Sequence, residues 1–293
     1  MKVIRAKSAG FCWGVERAID TARQYAANGQ RVVYTDGPLI HNSQMMQKLE
    51  GEGIREVGDY ESEAKLNFDL NNEQDKNAVI VVRAHGISPE RRTYLKSLGL
   101  EFRDGTCPDV GIIAGKIKLF VRKGFNTVIF GDPKHPEVMG LMGYTDGRGY
   151  VVKSEADIDA LPESIGDKVC FVSQTTMFTF DFKSLSAHLK RRFPAVEVVD
   201  TICGATKERQ SDIPHLKTEG AEAVVVIGGR HSANTVKLAK LVEMEGMPCY
   251  HVETAAELDF AHMKSKYGVV GVTAGASTPG FLIDEVCNRL EAI

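Results

Sequence analysis

Three cysteines repeat along the chain at a nearly constant interval. Cys107 follows Cys12 by 95 residues, and Cys203 follows Cys107 by 96 residues. In a chain of 293 residues, this interval predicts three similar α/β units, here called repeats. If the repeats surround a pseudo-threefold axis, their cysteines converge on one central point. Three converging thiolates would form a metal site with one coordination position left open.

Further features recur in step with the cysteines. A histidine follows each cysteine after 29, 28 and 28 residues, and these histidines are His41, His135 and His231. An apolar run that ends in a short polar loop follows 73, 68 and 74 residues after the cysteines. Those loops carry His85, Thr175 and Ser277. Because loops at the carboxyl ends of parallel strands gather at one edge, we expect all of them on one rim.

The local patterns indicate alternating strands and helices, which is typical of α/β proteins with mostly parallel sheets. Apolar strand-like runs include VIVV at 79–82 and AVVVI at 223–227. Helices are predicted after each cysteine and after Ser88-Pro89, where serine is a good N-cap and proline suits the first helical position. The pair Asn28-Gly29 predicts the end of the first helix. Pro214 predicts a kink or an interruption in the helix after Cys203.

The repeats have predicted boundaries. The first covers 13–106, the second covers 107–199, and the third joins 200–293 to 1–12. Residues 57–77 are polar, acidic and rich in turn-forming residues. We interpret this stretch as a surface insertion in the first repeat, without a role at the site.

Composition excludes several classes of protein. An apolar content of 43% and a charged content of 26% are those of a soluble globular protein. No run is long enough to span a membrane, and the first residues lack an apolar stretch of signal-peptide length, so we expect a cytoplasmic protein. The six cysteines do not form a disulfide framework and are expected to be reduced. A net charge of −3 argues against nucleic-acid binding.

The cysteine pattern favours an iron–sulfur site over a zinc site. Structural zinc sites often use Cys-x-x-Cys pairs, which are absent here. A [4Fe–4S] cluster with three Cys ligands has one open iron that can bind a substrate oxygen as a Lewis acid. The alternative is that the cysteines are merely small core residues. The remaining thiols, Cys170, Cys249 and Cys287, lack the repeated context and are predicted to be packed.

The loops predict a site for an anion and for proton transfer. His41, His85 and His135 follow strands, and histidine binds anions or relays protons near neutral pH. Ser232 and Asn234 lie at a predicted helix N-terminus, where free backbone amides bind anions. Ser277 adds a hydroxyl in a loop of small residues, and His231 is a weaker candidate. Ordinary helix caps are the alternative for each hydroxyl.

A carboxylate and two hydroxyls complete the candidate set. Glu137 is the carboxylate placed directly within one of these loops after a histidine. Beside a desolvated metal centre, a carboxyl group can retain a proton and deliver it during a reaction. Thr175 and Thr176 could hydrogen-bond a substrate hydroxyl.

Together these residues resemble those of the 4-hydroxy-3-methylbut-2-enyl diphosphate reductase family. The motifs are AGFCWGVERA, GPLIHN, RAHG, GTCPDV, HPEV, SQTT, ICGAT, the Ser-x-Asn of HSANT, and TAGAST. They occur along effectively the whole chain. The resemblance implies reductive removal of an allylic hydroxyl to give isopentenyl and dimethylallyl diphosphates. It also implies reduced ferredoxin or flavodoxin as the electron donor.

The resemblance also implies a role for each matching residue. Cys12, Cys107 and Cys203 would ligate a [4Fe–4S] cluster with one open iron. The diphosphate would be bound by His41, His85, Ser232, Asn234 and Ser277. Glu137 would donate the proton, with His135 nearby and Thr175 near the substrate hydroxyl. Ala233 stands where some members have a second serine, so a contact there would be through the backbone only.

Three other functions compete with this prediction. Quinolinate synthase also joins three α/β units around a three-cysteine cluster, but its substrate is not a diphosphate. An iron–sulfur sensor or a structural metal protein would not need Glu137 and Thr175 beside an anion pocket. A binding module for phosphorylated ligands would need no metal, and the cysteine repeat argues against it.

Overall fold

The structure is a computed structural model that describes residues 1–27, 31–58, 65–66, 68–69 and 71–293. The chain divides into two compact units. The terminal unit comprises Met1–Glu16, His41–Met45 and Cys203–Ile293. The central unit comprises Arg17–Ile40 and Met46–Ile202.

Strands and helices alternate through the described residues. The strands are β1 (Lys2–Arg5), β2 (Val33–Asp36), β3 (Ile54–Val57), β4 (Val79–Val82), β5 (Glu101–Asp104), β6 (Asn126–Phe130), β7 (Gly149–Val152), β8 (Val169–Ser173), β9 (Glu197–Val198), β10 (Ala223–Ile227), β11 (Cys249–Val252) and β12 (Val269–Ala274). The helices are α1 (Trp13–Ala26), α2 (Ser43–Gly51), α3 (Glu73–Lys76), α4 (Pro89–Ser97), α5 (Pro108–Arg122), α6 (Pro136–Met142), α7 (Glu155–Asp159), α8 (Thr179–Arg192), α9 (Gly204–Thr218), α10 (Ala233–Met244), α11 (Phe260–Lys266) and α12 (Gly280–Glu291).

The strands of the described residues form three parallel four-stranded sheets with one repeated strand order. The central unit contains the sheets β3-β2-β4-β5 and β7-β6-β8-β9, and the terminal unit contains β11-β10-β12-β1. In the terminal sheet, β1 takes the fourth place beside β12, with Lys2 paired to Val269. The predicted α/β class with three similar units is therefore confirmed. The repeat boundaries and the pseudo-threefold axis stay predictions.

The inner strands of the parallel sheets are apolar on both faces. In β10, Val225 packs in the cluster that contains Ile283 of α12, whereas Val224 and Val226 pack in the cluster that contains Ile213 of α9. Helices thus cover both faces of this sheet, as βαβ crossovers require. At about 25 cal/mol per Å² of buried apolar surface, such continuous burial is the main stabilising term.

Several predicted helix starts are present. The Ser88 hydroxyl accepts a hydrogen bond from the Arg91 amide (3.1 Å), and Pro89 occupies the first turn of α4. Cys107 and Cys203 are the N-cap residues of α5 and α9. A cysteine at each of these two caps leaves its sulfur beside the amide end of a helix, which favours the thiolate.

Two local predictions require correction, the first only for the predicted interruption of a helix. The helix after Cys203 is not interrupted: α9 runs continuously through Pro214. A proline removes a single backbone hydrogen bond, and Ile213 and Leu216 beside it are anchored in the core. Glu137 lies not in a loop but in the first turn of α6, because His135-Pro136 provides an N-cap and a first-turn proline.

Two further predictions fall partly or wholly outside the described residues. The proposed helix end at Asn28-Gly29 lies outside them, as do parts of the 57–77 stretch. The described part of that stretch includes α3 and Phe68, whose ring is 5.0 Å from the ring of Tyr34. Leu66 and Phe68 are half-buried against the core of the β2 sheet, so the stretch is partly packed. Its role in the protein stays a prediction.

The turn that leads from β5 to Cys107 depends on a close backbone approach. A Cβ atom added to Gly105 would lie 2.2 Å from the carbonyl oxygen of Val82. Gly105→Ala is therefore expected to lower the free energy of unfolding by about 1–3 kcal/mol, as overpacking does. Urea denaturation followed by circular dichroism measures this change. The control is Gly115→Ala in α5, where an added Cβ meets no atom within 4 Å. Equal stability of the two variants would contradict the argument.

Candidate functional site

The central unit places Cys107 beside a cavity. The Cys107 amide donates to the carbonyl of Ala84 (2.9 Å), the residue before His85. A cavity of about 190 Å³ is lined by both Cys107 and His85, with Tyr144 and Arg17 also in its wall. Arg17 donates to the carbonyl of Thr106 (3.1 Å). Cys107 thus lies on a loop tied to the end of β4, with open space next to its helix.

Glu137 and Thr175 form the most buried polar pair of the candidate set in this unit. Glu137 is 1% exposed and Thr175 is 7% exposed. The Thr175 amide donates to Oε1 of Glu137 (2.7 Å), and the Thr175 hydroxyl donates to Oε2 (2.6 Å). Both carboxylate oxygens therefore have defined partners from the loop that follows β8. This geometry fixes the carboxyl group and couples it to a hydroxyl.

His135 lies two residues before Glu137, and its ring contacts the ring of His85. Nδ1 of His135 accepts the amide hydrogen of Glu137 (3.2 Å), which is an N-cap contact. The rings of His135 and His85 meet edge to face, with their centroids 5.4 Å apart. The N-cap contact fixes the ring of His135, and the ring pair brings the loops after β4 and β6 together. A histidine ring beside a carboxyl group can relay protons to it.

Gln174 is a supporting residue that the sequence interpretation missed. It is fully buried, its side-chain oxygen accepts the amide hydrogen of Asp132 (3.0 Å), and its Nε2 donates to Thr176 (2.9 Å). The loop after β6 is thereby joined to the loop after β8. Thr176 is thus a partner of Gln174, whereas Thr175 is the partner of Glu137. The SQTT pattern contained this residue, but no local signal indicated its contacts.

In the terminal unit, Cys12 and Cys203 both precede helices. The Cys12 amide donates to the carbonyl of Ala276 (3.1 Å), and the Cys12 carbonyl accepts from the first turn of α1. The thiol of Cys203 contacts the hydroxyl of Thr206 (3.2 Å). Ala276 precedes Ser277 as Ala84 precedes His85, so the amides of Cys12 and Cys107 are held in matching ways. The repeat seen in the sequence therefore extends to backbone hydrogen bonds.

The polar loops of the terminal unit lie against one another. The Ser277 hydroxyl donates to the carbonyl of His41 (3.0 Å). A Cβ added to Gly229 would lie 3.1 Å from the same carbonyl, so the loop after β10 also approaches His41 closely. Ser232 caps α10 through the Thr235 amide (3.4 Å). Asn234 is 7% exposed, and its Oδ1 is buried without a hydrogen-bond partner among the described residues.

The three cysteines outside the repeat have thiols with a raised pKa. The repeated cysteines are half-buried at helix N-termini, and all six cysteines are free of disulfide bonds. Burial raises the pKa of Cys170 and the pKa of Cys249 to about 12 each. Burial also raises the pKa of Cys287. Since a thiol must ionise to bind metal, the raised pKa makes Cys170, Cys249 and Cys287 poor metal ligands.

His231 is exposed in the turn before α10. Asn42, which was not predicted, is buried and accepts the amide hydrogen of Met45 (2.8 Å), which anchors the start of α2.

Among the described residues, no helix has the length and apolar character needed to cross a membrane.

Comparisons with known proteins extend over the whole chain. A family model described as LytB protein matches residues 3–291. The 4-hydroxy-3-methylbut-2-enyl diphosphate reductase of Opitutus terrae is 63% identical over 293 residues, covering 100% of both chains. The protein of the same name from Alkaliphilus oremlandii is 38% identical, with 99% of each chain covered.

A solved structure supports the same relationship. The E-1-hydroxy-2-methyl-but-2-enyl-4-diphosphate reductase of Plasmodium falciparum has a TM-score of 0.87 and 27% sequence identity. The match covers 98% of this chain and 87% of that one. Fold, family model and full-length identity agree, and the chain belongs to the LytB protein family.

Proposed function

We propose that this protein is an oxidoreductase that removes the allylic hydroxyl of 4-hydroxy-3-methylbut-2-enyl diphosphate. Each turnover consumes two electrons and two protons and gives water and either isopentenyl diphosphate or dimethylallyl diphosphate. The observation that carries the proposal is the full-length 63% identity with a reductase of that name. The buried pair of Glu137 and Thr175 supports it, because the reaction needs a proton at a leaving hydroxyl.

LytB proteins are iron–sulfur enzymes, and Cys12, Cys107 and Cys203 are the proposed ligands in this chain. Each of the three lies at the N-terminus of a helix, and the other cysteines lack this setting. When bound, a [4Fe–4S] cluster with three Cys ligands and one open iron supplies electrons and a Lewis acid. Convergence of the three cysteines on a pseudo-threefold axis is part of this proposal.

Glu137 is the proposed proton donor. Thr175 holds both of its carboxyl oxygens and presents a hydroxyl at 2.6 Å from Oε2. In the proposed reaction, one proton leaves the Glu137 carboxyl group and reaches the substrate hydroxyl, which departs as water. The two electrons and a second proton form the new C–H bond at one end of the allyl group, which gives one or the other product. Thr175 orients that hydroxyl, and His135 fixes the first turn of α6 and relays the replacement proton.

The diphosphate is proposed to bind to five side chains. They are His41, His85, Ser232, Asn234 and Ser277. Ser232 and Asn234 belong to the N-terminus of a 12-residue helix, whose free amides and dipole favour an anion. Gly229 approaches the His41 carbonyl closely. Because this residue has no side chain, phosphate oxygens can reach the backbone of its loop.

Electrons must be supplied by a separate protein. No nicotinamide or flavin fingerprint such as G-x-G-x-x-G occurs in the sequence. We therefore propose reduced ferredoxin or reduced flavodoxin as the partner. Neither nucleic acid nor a membrane has a part in the proposed reaction.

The function is tested by Mössbauer spectroscopy of iron-57-labelled protein prepared without oxygen, with and without the hydroxylated diphosphate. We expect a distinct iron subsite whose signal changes when the substrate is added. Turnover with a chemically reduced electron donor should then give both five-carbon diphosphates. A cluster that ignores this substrate would refute the assigned reaction, and zinc or no metal after reconstitution would refute the cluster. A three-iron spectrum would show that the open iron had been lost.

A further inference from the structure

Helix α9 and the loop that carries Cys12 are tied together by two contacts within the terminal unit. Nη2 of Arg209 donates to the carbonyl of Gly10 (2.6 Å), two residues before Cys12. One turn further along α9, the carboxylate of Asp212 accepts hydrogen bonds from the amide and the hydroxyl of Ser8 (2.9 and 2.6 Å). The Cys12 loop is therefore fixed against this helix at both contacts.

The same arginine also contacts the start of α9. Its Nη1 donates to the carbonyl of Ala205 (2.8 Å), two residues after Cys203. One guanidinium group is thus hydrogen-bonded to backbone beside Cys12 and to backbone beside Cys203. A planar fork of donors can make both contacts at once, whereas a lysine ammonium on a single stem cannot reproduce them.

The charge of Arg209 is not balanced by a carboxylate pair. The side chain is 2% exposed, and no ion pair joins it to a carboxylate among the described residues. Its Nε is buried and has no hydrogen-bond partner in the described part of the chain. A buried charge of this kind is costly unless an anion lies nearby.

Four ionisable groups lie near Arg209: Cys12, Cys203, Glu208 and Asp212. Burial lowers the pKa of Arg209, and the charges of Cys12 and Cys203 are the largest effects that oppose this change. Glu208 and Asp212 act in the same direction more weakly. Glu208 is exposed to solvent, and the Asp212 carboxylate is engaged by Ser8. Neither carboxylate forms an ion pair with Arg209, so its remaining ionisable neighbours are Cys12 and Cys203.

We propose that Arg209 is a positioning residue for the cluster site: its guanidinium group holds the backbone beside Cys12 and Cys203, and its fixed positive charge favours the reduced cluster. This inference rests on the proposed function, since it requires a cluster at these cysteines. Reduction adds negative charge to the site. A cation that is already buried beside two of the ligands stabilises that charge without reorganisation and raises the reduction potential.

The test is the midpoint potential of the substrate-free holoprotein, measured by redox titration monitored by electron paramagnetic resonance. In Arg209→Met, the ratio of reduced to oxidised cluster at the wild-type midpoint is expected to fall about tenfold. For a one-electron couple, this change corresponds to a midpoint about 59 mV lower. A folded, cluster-loaded Arg209→Met protein with the wild-type midpoint would overturn the proposal.

Two further variants separate charge from loop geometry. Arg209→Lys keeps the charge but loses the fork, so its ratio should stay within about twofold of wild type. Arg5→Gln removes a charge from the same unit at an exposed ion pair with Asp284 and should also stay within about twofold. If Arg209→Met fails to fold or to load iron, Arg209→Lys decides: a tenfold fall in that variant would refute the role of charge.

The failure of this inference is distinguishable from the failure of the proposed function. If the wild-type protein holds no iron–sulfur cluster after anaerobic reconstitution, the proposed function is wrong. If the wild-type protein holds the cluster and the Arg209 variants do not change its potential, only the role of Arg209 is wrong.

Discussion

Replacing Cys107 with serine is expected to abolish turnover and to remove most of the bound iron. Cys107 is one of only three proposed ligands, and a serine hydroxyl at neutral pH does not replace a thiolate. The same outcome is expected for Cys12→Ser and Cys203→Ser. Iron content and the visible spectrum of anaerobically reconstituted protein measure the loss, and turnover of the hydroxylated allylic diphosphate measures its consequence.

The matched control for this prediction is Cys249→Ser. Cys249 lies at the start of β11, and burial raises the pKa of its thiol to about 12, so it is protonated at neutral pH. We expect this variant to keep its iron and nearly all of its activity. Circular dichroism should show that all four variants are folded. Full iron content in Cys107→Ser, or loss of iron in Cys249→Ser, would show that the ligands have been assigned wrongly.

Replacing Glu137 with glutamine is expected to lower kcat by about 10²- to 10⁴-fold, the usual contribution of a general acid. Glutamine has the shape to keep the contacts with Thr175, because its oxygen can accept from the amide and its NH₂ group can donate to the hydroxyl. The variant loses the transferable proton and little else. Its iron content and its KM should therefore stay close to wild type.

Glu90 provides a closely matched control for Glu137. Each glutamate is the second residue of a helix that starts with proline, in Ser88-Pro89-Glu90 and in His135-Pro136-Glu137. Glu90 is exposed, whereas Glu137 is buried. Glu90→Gln should have wild-type kcat. If Glu137→Gln is as active as Glu90→Gln, Glu137 is not the proton donor.

The local elements of this fold are readable from the sequence because they depend on neighbouring residues. The run VIVV predicted β4, and Ser88-Pro89 predicted the start of α4, since apolar runs and caps act over a few positions. Helix α6 was missed because it has only seven residues and its start resembles a polar loop. The interruption predicted at Pro214 is absent because packing of α9 in the core outweighs the loss of one hydrogen bond, whereas the kink stays a prediction.

The candidate site, like the fold, could be predicted from the sequence only in part. Its chemical groups were found from the repeat, because cysteines, histidines and hydroxyls recur at matching distances from strand ends. The partners of those groups were not found. Thr175 and Glu137 are 38 residues apart, and Arg209 and Gly10 are 199 residues apart. Neither pairing has a periodic signature that a single sequence could reveal.

The sequence by itself determined the three-repeat plan, the parallel α/β class and the residue types available for chemistry. These properties follow from local apolar patterns and from spacing along the chain. Only the tertiary structure decided that Thr175 holds the Glu137 carboxyl group, and that a buried arginine is hydrogen-bonded to the backbone beside two cysteines. The physical reason is that these contacts join distant segments, and packing selects them only once the sheets and helices have formed.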